Sequence, residues 1–374
     1  KGGADKANGI ILKDNADNST VVNNILYGEM DYGIYIDGPD YVLISNNSVN
    51  LSVLDYSAGP TGIIISGSDN NNLTNNTAIA FGVGGGGIQI SGSDNGVIIN
   101  NTGISNNSQG ISLSGTNNLL FSNRGSSISN AGIYIGSSNG NNITLNTAIT
   151  NTSSAFSITG STNNTFTLNT GIGNVSYGFV VSQNSNNSVF KYNVGISNSS
   201  GGFYLSNASN NTFISNNGTS NSSYGFTLYQ SSNNRVIRQL GNGYLAGSTG
   251  VYIRESWGNS IEDCVSVSGV SNDIYVINAL GAVNNSFVNC SYSLAKENVQ
   301  VGAANDIKRK WWYMAYVNDS DGTGIGIVDV VAYNSSGGFN FNASTNASGW
   351  TNRTAITEYA NIGGTRRYYS DYNI

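Results

Sequence analysis

Asn151 to Asn221 reads NTSSAFSITGSTNNTFTLNTGIGNVSYGFVVSQNSNNSVFKYNVGISNSSGGFYLSNASNNTFISNNGTSN, and one unit recurs three times within it. A small residue precedes an apolar-x-apolar triplet (FSI, FVV, FYL). A polar corner with paired Asn follows, then a second apolar strand, another Asn and a short third triplet ending in a third Asn. Self-similarity at a fixed period decides the architecture, because one such unit is too small to bury its own apolar face and has to stack on its neighbours.

Outward from this stretch, units begin at Gly9, Gly33, Gly62, Gly87, Gly110, Gly132, Ala155, Gly178, Gly202, Gly225, Gly250 and Asp273, spaced by 22 to 29 residues. The triplets that follow them are IIL, IYI, III, IQI, ISL, IYI, FSI, FVV, FYL, FTL, VYI and IYV. Alternation with a period of two predicts strands, since a helix needs apolar residues three and four apart over a longer run. With three short strands per unit and short corners, the units coil, each turn stacking about 4.8 Å beyond the last.

The units resemble the repeats of the pectate-lyase-like superfamily, and are similar to the Asn-rich coils of nitrous-oxide-reductase accessory proteins and of archaeal and bacterial surface proteins. The likeness runs from Gly9 to Asn298. It implies an all-β chain, with a right-handed single-stranded parallel β-helix of about twelve coils over residues 1–304. Lyases, epimerases, tailspikes and adhesins all use this coil, so the fold by itself selects no activity.

Within each coil, Leu120, Ile143, Leu145, Phe166, Leu168, Phe190 and Phe213 are expected to form ladders inside the second strand. Asn101, Asn123, Asn146, Asn169, Asn193 and Asn216 recur after that strand. They are expected to take a left-handed corner and to bond amide to amide along the axis. A catalytic array is not the expected role of these asparagines.

Composition sets the remaining bounds. The 374 residues include 48 Gly, 2 Pro and no His, with 10% charged and 38% hydrophobic residues, as a long narrow β-solid requires. A net charge of -6 leaves no basic face for phosphates, so nucleic acid is not an expected partner. No apolar run is long enough to span a bilayer. The chain opens at Lys1 with no leader pattern, as a processed or partial chain would.

About two dozen N-x-S/T sequons point to a secretory or cell-envelope route, although a chain this rich in Asn, Ser and Thr also makes sequons by chance. Candidate glycosylation sites are Asn72, Asn106, Asn142, Asn151, Asn174, Asn198, Asn221, Asn284, Asn334 and Asn346, with the third-corner series Asn106, Asn151, Asn174, Asn198 and Asn221 the most protruding. The expected location is extracellular, at the cell surface.

Acidic residues gather before residue 60: Asp5, Asp14, Asp17, Glu29, Asp31, Asp37, Asp40 and Asp55, the last in a loop around Tyr56 expected to bulge. They are either a solvated polar cap or a calcium or sugar site. Asp69 and Asp94 share one offset in consecutive SGSDN corners, where they share a cation or stay solvated. Calcium is the one cofactor weighed; no metal site is assigned. Beyond Asp69 and Asp94 the middle coils carry only Arg124, Lys191, Arg235 and Arg238 and lack the paired carboxylates of glycosidases, and the coils near Gly250 and Asp273 regain charge through Arg254, Glu255, Glu262, Asp263 and Asp273.

Cys264 and Cys290 occupy matching frames, NSIEDC and NSFVNC, where stacking brings them within disulfide range; two adjacent corner thiols are the alternative. Lys296 to Asp306 breaks the repeat and reads as a connection. From Lys308 the texture becomes WWYMAYV, IGIVDVVAY, FNF and TRRYYSDYNI between Gly, Asn and Asp turns, which predicts a small antiparallel β-sandwich over 305–374. This part resembles the immunoglobulin-like or carboxypeptidase-regulatory-like modules that follow coils in surface proteins. Asp319, Asp321 and Asp329 there are turn residues or calcium ligands.

Two functions follow. The favoured one is a glycosylated structural or adhesive protein of the cell envelope that self-assembles with identical subunits into a filament, sheath or layer. The other is a carbohydrate-active or glycan-binding coil, with surface glycans as partners and a groove near the first coils or near Arg254 to Asp273.

Overall fold

The computed structural model describes residues 8–52, 59–82, 84–277, 281–301 and 305–374. Asp5 and the loop around Asp55, Tyr56 and Ser57 lie outside the described residues. Ile10–Lys13 opens sheet 1, Thr20–Val22 opens sheet 2 and Ile25–Gly28 opens sheet 3; Tyr32–Asp37 then returns to pair in parallel with Ile10–Lys13. Repetition of this circuit gives sheets of 13, 15 and 11 strands around one axis. At about 4.8 Å per rung the rod is roughly 60 Å long.

Sheet 1 has thirteen rungs where the triplets predict twelve coils. The additional one is Glu297–Val299, paired in parallel with Ile274–Val276 inside the stretch read as a connection. Its first inward residue is Glu297 in place of Ile, Phe or Val, so no apolar triplet marks it.

The corner between sheets 3 and 1 is tight enough to need glycine. A Cβ on Gly178 would sit 2.6 Å from the Gly195 Cα of the next coil. Inside, Phe156, Phe179 and Phe203 stack along sheet 1 with centroids 4.5 and 4.8 Å apart. Phe166, Phe190 and Phe213 stack along sheet 2 at 4.6 and 4.5 Å. Both spacings match the coil rise, so register and ring stacking reinforce one another.

Two expectations for these ladders are corrected. Leu145 and Leu168 are not interior: the second strand is only three residues long, and each leucine sits just past it at φ 59° and 56° with its side chain turned outward. The ladder asparagines do not take the left-handed conformation either. The residue before each of them does, at Leu145, Leu168, Tyr192 and Ser215. This leaves Asn146, Asn169, Asn193 and Asn216 pointing inward and buried, with Nδ2 to Oδ1 bonds of 3.0, 2.9 and 2.9 Å along the axis.

At the C-terminal end the strand Asn305–Tyr313 pairs in parallel with Ala282–Val288 on one edge and antiparallel with Thr354–Ile362 on the other. Thr365–Tyr368 extends that antiparallel sheet, and Asp329–Tyr333 with Phe339–Ser344 forms a separate hairpin. The strand beginning at Asn305 is therefore at once the last parallel rung of sheet 2 and the first strand of a small antiparallel sheet. No helix among the described residues is long and apolar enough to cross a membrane.

Candidate functional site

The outward positions of sheet 1 carry a band of tyrosines and a polar groove. Because side chains alternate across a strand, the middle residue of each apolar triplet faces out, and register stacks these residues into a column. Tyr204, Thr227, Tyr252 and Tyr275 lie in one such column, and Ser206, Tyr229, Arg254 and Ile277 in the next. Tyr177 joins from the preceding corner and Tyr224 from the first position of the strand Tyr224–Tyr229. The Tyr177 ring stacks on Tyr204 at 4.5 Å and the Tyr224 ring on Tyr252 at 4.3 Å. Tyr229 lies 6.4 Å from Tyr204, and Tyr275 lies 5.5 Å from Tyr252. Gly201 clears the space for this: a Cβ there would meet the Tyr177 ring at 3.1 Å.

Arg254 crosses the Tyr229 ring at 5.2 Å and reaches Glu255 at 3.4 Å. The Glu255 carboxylate also accepts from Gln230 Nε2 at 2.7 Å. The result is a half-buried band of six tyrosines over five coils with a cation and an anchored carboxylate beside it. Packing of the rings against one another disfavours the phenolate. Burial, aided by Tyr204 and Tyr224, pushes the Tyr177 hydroxyl up to about 12. Tyr204, Tyr224 and Tyr252 are raised for the same primary reason.

On the same face, nearer the first coils, Gln89, Ser91, Gln109, Ser112, Ser114 and Tyr134 line an open groove of about 220 Å3 floored by Ile90 and Leu113. Tyr134 forms its wall by lying across Gly136, where any Cβ would run into the ring. Hydroxyls and amides around a shallow trough, followed by the edges and hydroxyls of stacked tyrosines, are suited to an extended ligand rich in hydroxyls. The signal for this face was present in the triplets IYI, FYL, VYI and IYV, whose middle tyrosines the ladder reading passed over.

The predicted sites fall elsewhere. Of the ten candidate sequon asparagines none is buried: Asn106 and Asn334 are half-buried and the other eight exposed. Asn334 and Asn346 close turns, each Oδ1 accepting backbone N–H groups two and four residues on. Lys308 Nζ donates to Asn284 Oδ1 at 3.0 Å. Cys264 and Cys290 are joined, with sulfurs 2.05 Å and Cα atoms 4.7 Å apart.

Asp69 and Asp94 do stack, within a longer column. Asp17, Asp40, Asp69 and Asp94 each accept the backbone N–H of the next coil, at 2.9, 2.7, 2.8 and 2.6 Å. Asp319 accepts from the N–H groups of Asp321 and Thr323 at 3.0 and 2.9 Å, which makes it a turn-former. No group of three or more Asp, Glu, Cys or His among the described residues is placed to hold a metal. A second buried asparagine ladder, at the corner between sheets 1 and 2, escaped the sequence reading. It includes Asn234, Asn259 and Asn285, bonded at 3.1 and 2.9 Å, and its signal was the last Asn of the polar corner, preceded by Asn in Asn233-Asn234 and Asn284-Asn285 and by Gly258 at Asn259.

Among curated proteins, none matches the sequence. Solved structures with the same coil include DFA-IIIase from Arthrobacter chlorophenolicus A6, 15% identical over 74% of this chain with a TM-score of 0.36. This chain spans 60% of that enzyme. A tailspike of E. coli bacteriophage HK620 in complex with a pentasaccharide is 11% identical over 93% of this chain and 81% of its own, TM-score 0.35. PfbA, a surface adhesin of Streptococcus pneumoniae, is 12% identical over 93% and 80%, TM-score 0.34. At these values the likeness concerns the coil alone. The coils described above are also what the model of the right handed beta helix region recognises, over residues 8–167 and again over 86–240, and with more than half of its length so matched this chain belongs to the right-handed β-helix family.

Proposed function

We propose that this protein is a glycosylated, extracellular adhesive β-helix of the cell envelope that binds glycan chains lengthwise along the outer face of sheet 1. The observation that carries this reading is that the polar groove at Gln89 to Tyr134 and the tyrosine band from Tyr177 to Tyr275 lie in register on one face, with Ser157 and Val180 between Tyr134 and Tyr204 in the outward column. A coil rise of about 4.8 Å is close to the advance of one sugar along an extended chain, so successive rings meet successive tyrosines. Binding of the full chain to immobilised neutral and acidic polysaccharides tests it. Tyr204→Ala and Tyr252→Ala should each weaken binding about tenfold or more with the β-sheet spectrum unchanged. Absence of binding to every polysaccharide, or binding by both variants as tight as that of the unaltered chain, sinks the reading.

A filament, sheath or layer subunit is a second reading, favoured by a different face. Leu145, Thr147 and Ile149, then Leu168, Thr170 and Ile172, then Tyr192, Val194 and Ile196 form an uncharged outward grid at sheet 3 and its preceding corner. Leu145, Leu168 and Tyr192 are 44, 49 and 53% exposed at positive φ, where Asn or Ser would be less strained. Sedimentation of the purified protein decides: a monomer at high concentration, with no filaments by electron microscopy, removes this second reading.

A further inference from the structure

Sheet 3 carries an exposed asparagine ladder unlike the two buried ones. Asn151, Asn174, Asn198 and Asn221 each follow the last residue of a sheet 3 strand in four consecutive coils. Each heads a sequon, NTS, NVS, NSS and NSS. Backbone bonds from Asn174 to Thr150, Asn198 to Gly173 and Asn221 to Ser197, at 3.1, 3.2 and 3.1 Å, hold them in register. Neighbours are thus about 4.8 Å apart, and next-but-one neighbours about 9.6 Å.

The side chains are not equivalent. Asn174 Nδ2 donates to Asn151 Oδ1 at 2.8 Å, and Asn221 Nδ2 donates to Asn198 Oδ1 at 2.8 Å. Between these pairs, Asn198 Nδ2 reaches Asn174 Oδ1 only at 3.4 Å. Asn151 Nδ2 donates to no group among the described residues. The ladder is therefore two bonded pairs, and in each the amide nitrogen of the earlier asparagine is free or loosely held.

Glycan transfer needs that nitrogen. The bond formed joins Nδ2 to the anomeric carbon of the sugar, the bond broken is the one from that carbon to the phosphate oxygen of a lipid-linked glycan donor, and Nδ2 gives up one proton. A pyranose with its equatorial substituents is wider than one coil rise, so first sugars on neighbouring coils would claim the same volume. Two coils leave room for both.

We propose that this ladder is N-glycosylated on alternate coils, at Asn151 and Asn198, with Asn174 and Asn221 left bare as the donors that brace them. The proposal rests on the reading that the protein is glycosylated, and it adds a spacing rule and a choice between the two alternating sets.

The test is site-resolved mapping of the full chain secreted from a glycosylating yeast. Cleavage after Arg124, Lys191 and Arg235 leaves Asn151 with Asn174 on one peptide and Asn198 with Asn221 on another, so double occupancy is read on single molecules. Occupancy at Asn151 and Asn198 should exceed that at Asn174 and Asn221 several-fold, with no peptide modified at both members of a pair. In the double variant Asn151→Gln, Asn198→Gln, glycan should move to Asn174 and Asn221. Peptides modified at both members overturn the spacing rule while leaving the protein glycosylated. Preference for Asn174 and Asn221 in the unaltered chain overturns the choice of set. A wholly unmodified chain overturns the proposal together with the reading beneath it.

Discussion

Arg366 reaches back 69 residues to donate from Nε to Glu297 Oε1 at 2.9 Å, and the Glu297 side chain it meets is wholly buried. Glu297 is the first inward residue of the last sheet 1 rung, at a position where earlier rungs carry Ile, Phe or Val. Asn361 Nδ2 donates to the same oxygen at 2.7 Å, and the hydroxyls of Tyr292 and Tyr359 donate to the other. Burial and the adjacent carboxylate keep the Tyr292 hydroxyl protonated far above its ordinary range. Three of these four donors come from the antiparallel sheet or its edge, so the carboxylate clamps that sheet onto the end of the coil.

Removing the carboxylate should be costly. Glu297→Ala strands two hydroxyls, an amide and a guanidinium, and we expect a loss of roughly 3–5 kcal/mol of unfolding free energy. Arg366→Met, on a partly exposed partner, should lose less. Urea unfolding, with limited proteolysis to see whether residues from Asn305 onward are released first, checks both; a Glu297→Ala protein as stable as the unaltered chain refutes the clamp.

Interior ladders should resist truncation unequally. Phe190→Ala removes a ring stacked on two others and should cost about 3–5 kcal/mol, and Phe166→Asp, which buries a bare carboxylate, should abolish folding. Asn169→Ala breaks the bonds to Asn146, Asn193 and the Ile143 carbonyl and should cost about 1–3 kcal/mol for each polar group left unpaired. Denaturation midpoints decide the order.

The tyrosine band predicts an alkaline transition. The Tyr177 hydroxyl is raised from 10.0 to about 12 by burial, so folding favours its neutral form. Its contribution to stability is full below pH 10, shrinks as pH rises and is gone above about pH 12. Absorbance titration of phenolate should show Tyr177→Phe lacking one late-titrating group; a variant whose titration curve is unchanged above pH 11 refutes the assignment.

Joining Cys264 to Cys290 closes a loop with a sequence separation of 26, which in the chain-entropy picture is worth about 3 kcal/mol. Reduction, or Cys264→Ser with Cys290→Ser, should lower the urea midpoint by a corresponding amount without changing the β-sheet spectrum. Equal midpoints with and without reductant would show that the bond adds no stability.

What the sequence discloses here follows from periodicity. Phe166, Phe190 and Phe213 declare the coil because like residues must align when parallel strands stack, and their spacing alone reveals the register. Leu145 and Leu168 misled because a three-residue strand ends one step before the alternation does. Glu297 and the rung it occupies were hidden because their inward side chain is charged, and only Tyr292, Tyr359, Asn361 and Arg366, remote or out of frame in the chain, make that charge acceptable. The tyrosine face stayed unread for a related reason: Tyr204 and Tyr252 are the middle residues of their triplets, and the reading followed only the apolar residues on either side of them.

The backbone hydrogen bonds between coils run along the axis of the rod, so tension applied between its two ends pulls on them lengthwise. Such a load peels coils away one after another instead of shearing many at once, and a bare solenoid of this kind would lengthen at low force. The Cys264–Cys290 bond ties together the two coils that contain it, and the Glu297 clamp stiffens the end beyond them. A pull between the two ends would therefore open first the coils that carry neither tie, and last the coils bound by the disulfide and the clamp.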